Sequence, residues 1–326
     1  MERTKDVALV LASGGPRGWA YIGAIEELES RGYNITSVAG TSAGSLVGGV
    51  YAAGYLGEIK EWLTKLDGWQ VFKLMDLSFS ANHLVKGDKV IEAMKEIVPD
   101  VNIEDLRIPF RAVATDLYTG EAVVFDKGPL FQAIRASISI PSLFRPVQYG
   151  NRVLIDGGIV DTLPIDQVVR NGHDIVVAFD VNDVDVKGIR ESLDREAAQT
   201  ELIETNTTLA KEKIAEIIKA ENISIFDKVK MVSAEGHKAI AENILANRNK
   251  EDIEIGNNYY DILSRTFSLM NHINSENSIK MHKPDVTVRM PFDAFDEIAD
   301  YAKAEHIAEI GRELMKEALD KYEATL

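Results

Sequence analysis

Gly40-Thr41-Ser42-Ala43-Gly44 closes a short apolar run, Thr36 to Gly40, and opens a stretch of small residues, Ala43 to Tyr55. The first reads as a strand and the second as a helix. Strand, Gly-rich turn and helix in that order present a serine hydroxyl at a sharp corner, and the pentapeptide fits the G-x-S-x-G pattern of such corners. The flanking glycines let the backbone turn tightly and leave the serine uncovered. The helix start beyond Ser42 offers amide donors that have no intrahelical partner. Read more plainly, Ser42 is a helix N-cap in a Gly-rich turn. The pentapeptide alone leaves both readings open.

The same order occurs once before it. Val7 to Ala12 is apolar throughout and reads as a buried strand, Ser13-Gly14-Gly15-Pro16-Arg17-Gly18 as a turn, and Trp19 to Arg31 as a helix ended by Gly32. Phe110 to Thr115, Ala122 to Phe125, Arg152 to Ile155 and Ile175 to Phe179 are further strands. Apolar strands separated by helices predict an α/β fold with a mainly parallel sheet covered on both faces. After Val181 the composition shifts to Glu, Lys, Ala and Ile. Leu202, Leu209, Ile214, Ile217 and Ile218 mark one helical face, and Ile240, Ile244 and Leu245 another. A strand from Asp285 to Met290 then precedes helices around Phe292 to Tyr301 and Glu305 to Tyr322. A strand returning after a helical stretch predicts one domain: a core over residues 1–185, a helical insertion over 186–256, and a completing segment over 257–326.

The glycine turn after the first strand sets amides around a concavity that suits an anion. A dinucleotide fingerprint fails there, because Ser13 replaces the first glycine and no acidic residue ends a second strand about 20 residues on. The alternatives are an oxyanion hole serving Ser42, with donors from Gly14, Gly15, Arg17 or Gly18, and an ordinary tight turn. Pro16 has no amide hydrogen to give. Asp156-Gly157-Gly158 follows a strand, so Asp156 is either a general base able to approach another backbone closely or part of an Asp–Gly turn. The six histidines, His83, His173, His237, His272, His282 and His306, stand beside none of these motifs as a base would. Asp183 to Asp194 resembles a calcium loop weakly, with Lys187 at a ligand position, and reads better as an acidic connecting loop.

Composition removes several classes of function. The 326 residues hold 36 basic and 52 acidic side chains, for a net charge of −16. That balance argues against nucleic acid as partner and against electrostatic docking on anionic membranes. Residues 1–180 carry 17 basic and 23 acidic side chains, against 19 and 29 in the remainder, so most of the acidity lies in the helical half. The absence of cysteine excludes disulfides, thiolate zinc sites and a cysteine nucleophile. Val7 to Ala12 is too short for a signal-peptide core, and no apolar run nears the roughly 18 residues of a membrane span. A cytoplasmic location is the expectation, with membrane contact peripheral.

Taken in order, Gly14-Gly15-Pro16-Arg17-Gly18, Gly40-Thr41-Ser42-Ala43-Gly44 and Asp156-Gly157-Gly158 resemble the patatin-like phospholipase family, whose pattern is G-G-x-R-G, G-x-S-x-G and D-G-[GA]. Arg135 to Pro141 and Asp161 to Pro164 are similar to that family too, and Lys283 to Leu319 resembles its bacterial members. The likeness is strong over residues 6–185 and weaker over 257–320. It implies a three-layer sandwich and an acyl-ester hydrolase, a phospholipase A or lysophospholipase, that uses a Ser–Asp dyad with no catalytic histidine, metal or cofactor. Ser42 would then be the nucleophile and Asp156 the base. Gly14, Gly15, Arg17 and Gly18 would form the oxyanion hole, and Gly40, Gly44, Gly157 and Gly158 would support the motifs. Ser13 departs from the pattern by standing where many members have a third glycine. Pro16, in the variable position, stiffens the loop.

Two further readings compete: an acyltransferase or small-ester esterase with the same dyad, and a silent regulatory or scaffold protein whose insertion binds a partner. The presence of the whole dyad counts against the last. Ile59, Trp62, Leu63, Leu66, Trp69, Val71, Phe72, Leu74, Met75, Leu77 and Phe79 crowd the segment after the serine helix. They form either an acyl-chain wall, lid or interfacial surface, or an ordinary helix packed on the core. The expected partner is a lipid or acyl-ester substrate, and a homodimer through the helical region is open.

Overall fold

The computed structural model describes residues 5–65, 77–80, 83–85, 88–141, 143–219, 231–232, 259–295 and 299–326. The chain resolves into two compact units, Met1–Val184 with Asn258–Leu326, and Asp185–Asn257.

The first unit is built on a mixed sheet. β1 (Asp6–Leu11), β2 (Asn34–Thr41), β5 (Phe110–Asp116), β9 (Ile175–Asp183) and β10 (Val286–Pro291) run parallel, in the order β10-β9-β1-β2-β5. Three antiparallel strands complete it: β6 (Ala122–Phe125), β7 (Val147–Tyr149) and β8 (Arg152–Asp156). A separate hairpin pairs β3 (Leu77–Ser80) with β4 (His83–Val85). The helices of this unit are α1 (Ala20–Ser30), α2 (Ala43–Ala53), α3 (Leu56–Lys65), α4 (Asp88–Lys95), α5 (Leu130–Ser137), α7 (Tyr259–His282) and α8 (Ala304–Glu323). α6 (Val186–Lys219) belongs to the second unit.

Alternation along β1 explains why both faces of the sheet are covered. Val7, Leu9 and Leu11 point into the large core with α1, α2 and α8, whereas Ala8, Val10 and Ala12 meet Leu163, Ile165 and Val168 on the other face. All six are fully buried, as a two-sided parallel strand requires. The smaller side chains sit where short turns and α7 lie over the sheet.

Three expectations about elements need correcting. Phe292 to Tyr301 is not one helix: its described parts are 3-10 turns at Phe292–Ala294 and Ala299–Lys303, and Pro291 fixes the chain in an extended conformation just before the first. The helix expected from Trp19 begins at Ala20, after a 3-10 turn over Gly15–Trp19. Asp183 to Asp194 is not a loop throughout, because α6 starts at Val186 and the Asp185 carboxylate accepts the Gly188 amide at 2.9 Å.

Candidate active site

The topology brings Ser42 and Asp156 together through β5. Residues Phe110 to Val113 of β5 pair with β2, with Thr41 opposite Val113. Residues Ala114 to Asp116 pair with β8, with Asp156 opposite Ala114. β6 pairs with residues Ala112 to Thr115, overlapping both, so it must occupy the other edge. A strand has two edges, so β2 and β8 follow one another along the same edge of β5. The residue before Ser42 and the residue Asp156 thus stand at neighbouring register positions, although 114 residues separate serine and aspartate in the chain. Thr115 Oγ1 donates to the Asp156 carbonyl at 2.8 Å, and the Asp156 amide donates to the Ser139 carbonyl at 2.9 Å.

Ser42 sits in a strained turn. Its φ is 53° and its ψ −120°, a left-handed conformation that a residue with a Cβ rarely adopts. Such a position costs of order 1–3 kcal/mol and persists only where the surroundings over-determine it. Here the Ser42 amide donates to Ser137 Oγ at 2.8 Å, and that hydroxyl donates to the Val113 carbonyl at 2.6 Å. Gly40 and Gly44 allow the crossing: a Cβ on Gly44 would lie 2.2 Å from the Leu11 carbonyl, and one on Gly40 would lie 2.4 Å from the Gly44 backbone. With its own amide committed, Ser42 leaves the Ala43 amide at the start of α2, where no intrahelical partner exists.

Asp156 is 4% exposed. Its Oδ1 accepts the Gly158 amide at 2.8 Å, while its buried Oδ2 has no hydrogen-bond partner. Burial pushes the carboxyl up to about 6, against the Ser42 hydroxyl, the Gly158 amide and the Ser13 hydroxyl, which favour the charged form. Ser42 and Ser13 act on the carboxylate without either making a conventional hydrogen bond to Oδ2. Such contacts are often looser in a free enzyme than with substrate bound. Gly157 could not be larger, since a Cβ there would lie 2.2 Å from the Val113 carbonyl.

The glycine turn lies across from these residues. Neither the Gly14 nor the Gly15 amide has a hydrogen-bond partner among the described residues. The amides of Arg17 and Gly18 are taken by the i→i−3 pairing of the 3-10 turn itself. The amides of the turn left without a partner among the described residues are therefore those of Gly14 and Gly15. The Arg17 side chain is buried and reaches away, donating from Nη1 to the Phe292 carbonyl at 2.6 Å, which ties the turn to the C-terminal segment. Gly18 packs on α2, where a Cβ would lie 2.4 Å from the Ala43 Cβ.

A narrow cavity of about 100 Å³ is lined by Ser42 and Gly15 together with apolar side chains, among them Trp19, Leu46 and Met94. Ile59, Trp62 and Leu63, from the segment read as an acyl-chain wall or lid, line it from α3. Leu66, Trp69, Val71, Phe72, Leu74 and Met75 lie outside the described residues, as does His237. His272 donates from Nδ1 to the Asn182 carbonyl at 2.9 Å and makes no hydrogen bond to Ser42 or Asp156. No group of three or more His, Asp and Glu able to hold a metal occurs among the described residues. Sequence reading noted Ser13 and the stretch containing Ser137 without giving either a role, and it did not single out Asn182. They hold the site through contacts between residues far apart in the chain, and no local pattern carries that information.

Comparison with known proteins places this site. The family description "Patatin-like phospholipase" matches residues 9–169, which include the glycine turn, Ser42 and Asp156. An uncharacterized NTE family protein of Mycobacterium tuberculosis is 46% identical over 176 residues, covering 54% of this chain and 49% of that protein. Lysophospholipase NTE1 of Debaryomyces hansenii is 32% identical over 186 residues, 56% of this chain and 12% of the yeast protein. A patatin-like phospholipase domain-containing protein of Caenorhabditis elegans is 33% identical over 187 residues, 14% of its length. The chain thus spans about half the length of its mycobacterial relatives and a small part of the others. Among solved structures, VipD from Legionella pneumophila aligns over 98% of this chain and 67% of its own at a TM-score of 0.44 and 15% identity. No described helix is long and apolar enough to cross a membrane. Residues 9–169 are thus a patatin-like phospholipase domain, and the three motifs all lie within it.

Proposed function

We propose that this protein hydrolyses a lipid acyl ester through a Ser42–Asp156 dyad, with single-chain lysophospholipids as the preferred substrate class. The observation that carries the reading is a strained, buried serine that lines a cavity with apolar walls, the residue before it standing at the register position next to a buried carboxyl of raised pKa. In this reading Ser42 Oγ attacks the acyl carbonyl and Asp156 accepts its proton. The oxyanion is met by the amides of Gly14, Gly15 and Ala43. The alcohol leaves with the proton held by Asp156, and the acyl chain stays on Ser42 with its tail in the cavity. Asp156 then deprotonates water, which releases the fatty acid and restores the serine. A base near 6 is mostly ionised at neutral pH yet still basic enough to take a proton, which is the compromise general-base catalysis requires. The narrow cavity and the relatives named as lysophospholipases favour one acyl chain over two.

A fluorophosphonate probe with mass-spectrometric mapping tests the nucleophile, and hydrolysis of lysophospholipid against diacyl phospholipid and a short-chain ester tests the substrate. The expected result is a single adduct on Ser42, and lysophospholipid turnover that disappears in Ser42→Ala. An adduct elsewhere, or turnover that survives Ser42→Ala, would reject the reading.

A further inference from the structure

Ser13 is buried at 5% exposure, and its peptide is held on both sides. Its amide donates to the Thr162 carbonyl at 2.9 Å, and its carbonyl accepts from Asn182 Nδ2 at 2.7 Å. Asn182 is itself fixed: Nδ2 also reaches Asp180 Oδ1 at 3.1 Å, and its carbonyl accepts from His272. This clamp holds the Ser13 backbone in place. A Cβ on Gly158 would stand 2.9 Å from Ser13 Oγ and 3.1 Å from Asp156 Oδ1, so the hydroxyl and the carboxyl crowd around one glycine. The missing side chain at Gly158 is what lets them approach.

We propose that Ser13 is a positioning residue for Asp156, its hydroxyl turned to the carboxylate so that the base stays ionised and aimed at Ser42. The proposal rests on the dyad reading given above. Three groups oppose the burial of this carboxylate, the Ser42 hydroxyl, the Gly158 amide and the Ser13 hydroxyl, and no charged side chain helps. The titratable or charged groups on neighbouring elements, among them Arg17 of the glycine turn, Arg111 and Asp116 of β5, Arg152 of β8, Arg135 of α5, Asp161 beyond β8, Asp180 and Asp183 of β9, and Arg265, His272 and Glu276 of α7, do not enter. Ser42 loses its hydroxyl hydrogen as soon as it is acylated. From that moment Ser13 and the Gly158 amide are, among the described residues, the donors left to the base that must activate water. A hydrogen bond to a charged group is stronger than one between neutral groups, so losing the Ser13 hydroxyl should be felt mainly as a rise in the carboxyl's pKa.

The test is the pH dependence of fluorophosphonate labelling at Ser42 and of ester turnover, in wild type, Ser13→Ala and Ser13→Gly. Two variants are used so that a folding defect in one does not decide the matter. The proposal expects the acidic limb of both variants to move upward by roughly half to one pH unit, with a three- to tenfold loss at pH 5 and near wild-type rates at pH 8.5. Variants that keep the wild-type profile, or that lose the same factor at every pH, overturn the role of Ser13 while Ser42-dependent labelling leaves the dyad standing. Wild type that fails to label at Ser42 overturns the dyad and this proposal with it.

Discussion

Ser42, the proposed nucleophile, carries the strain of the site. At φ 53° a residue without a Cβ would sit at lower energy, so Ser42→Gly should unfold at higher denaturant concentration than Ser42→Ala, by about 1 kcal/mol in urea titrations. Both substitutions should abolish ester cleavage, so stability and activity part at this one position. Equal stabilities would mean that the turn stores no strain. That Ser42 is a nucleophile candidate was legible in the sequence, because five residues and their flanking strand and helix suffice to mark the turn. Its left-handed backbone was not, since what enforces it is Ser137, 95 positions along, whose hydroxyl takes the Ser42 amide. Arg17 shows the converse. The motif marks it, but the guanidinium points to the Phe292 carbonyl and its amide is spent within its own turn, so its part is to anchor the loop.

Among the elements, α1 and α8 cross more closely than side chains would normally allow. A Cβ on Gly311 would lie 1.9 Å from the Ala20 carbonyl, and one on Gly23 would lie 1.8 Å from the Ala308 carbonyl. Alanine is the better helix former by about 1 kcal/mol, so an isolated helix would gain from Gly311→Ala. In the folded protein the clash with backbone should outweigh that gain, and Gly311→Ala is predicted to destabilise by about 2–3 kcal/mol in urea unfolding. An unchanged midpoint would show that the helices can move apart at little cost. The strands of the sheet were legible because they are apolar on both faces, and so were α1, α2 and the helical pattern of α8. β7 was not found, because Val147 to Tyr149 offers three residues with no periodicity to read. The helix expected over Phe292 to Tyr301 failed for a related reason: its apolar residues suit a helix, but its described ends close as short 3-10 turns. The pairing of β2 and β8 along one edge of β5 is a property of register, and register across a hundred residues leaves no mark in a single sequence.

For the first unit as a whole, ionisation should make stability and activity peak at different pH. Asp156 is pushed up to about 6 and Asp161 to about 7, both chiefly by burial, and Asp180 is raised as well. An acid whose pKa is raised on folding binds more protons in the native state, so stability falls as pH rises through that range. Asp174 and Glu276 are shifted the other way by Arg170 and Arg289, and they withdraw stability only at more acidic pH. Denaturant titrations from pH 4 to 8.5 should therefore give the highest stability at the acidic end and a steady fall toward pH 8.5, opposite in direction to the activity limb. Replacing Asp156 by Asn should raise stability at pH 8 by at most about 3 kcal/mol, with the gain shrinking to about 1 kcal/mol at pH 4.5. On the proposed reading, the acidic composition of the chain constrains how it would meet lipid. With a net charge of −16, apolar contact near α3 is a better route to an acyl chain than attraction to an anionic surface. The central claim, that Asp156 serves Ser42 as its base, is tested most directly by the kcat of Asp156→Asn on a long-chain lysophospholipid at pH 8. The account predicts a fall of about a thousandfold or more in a protein that is folded and no less stable than wild type. Turnover within a few-fold of wild type would contradict it.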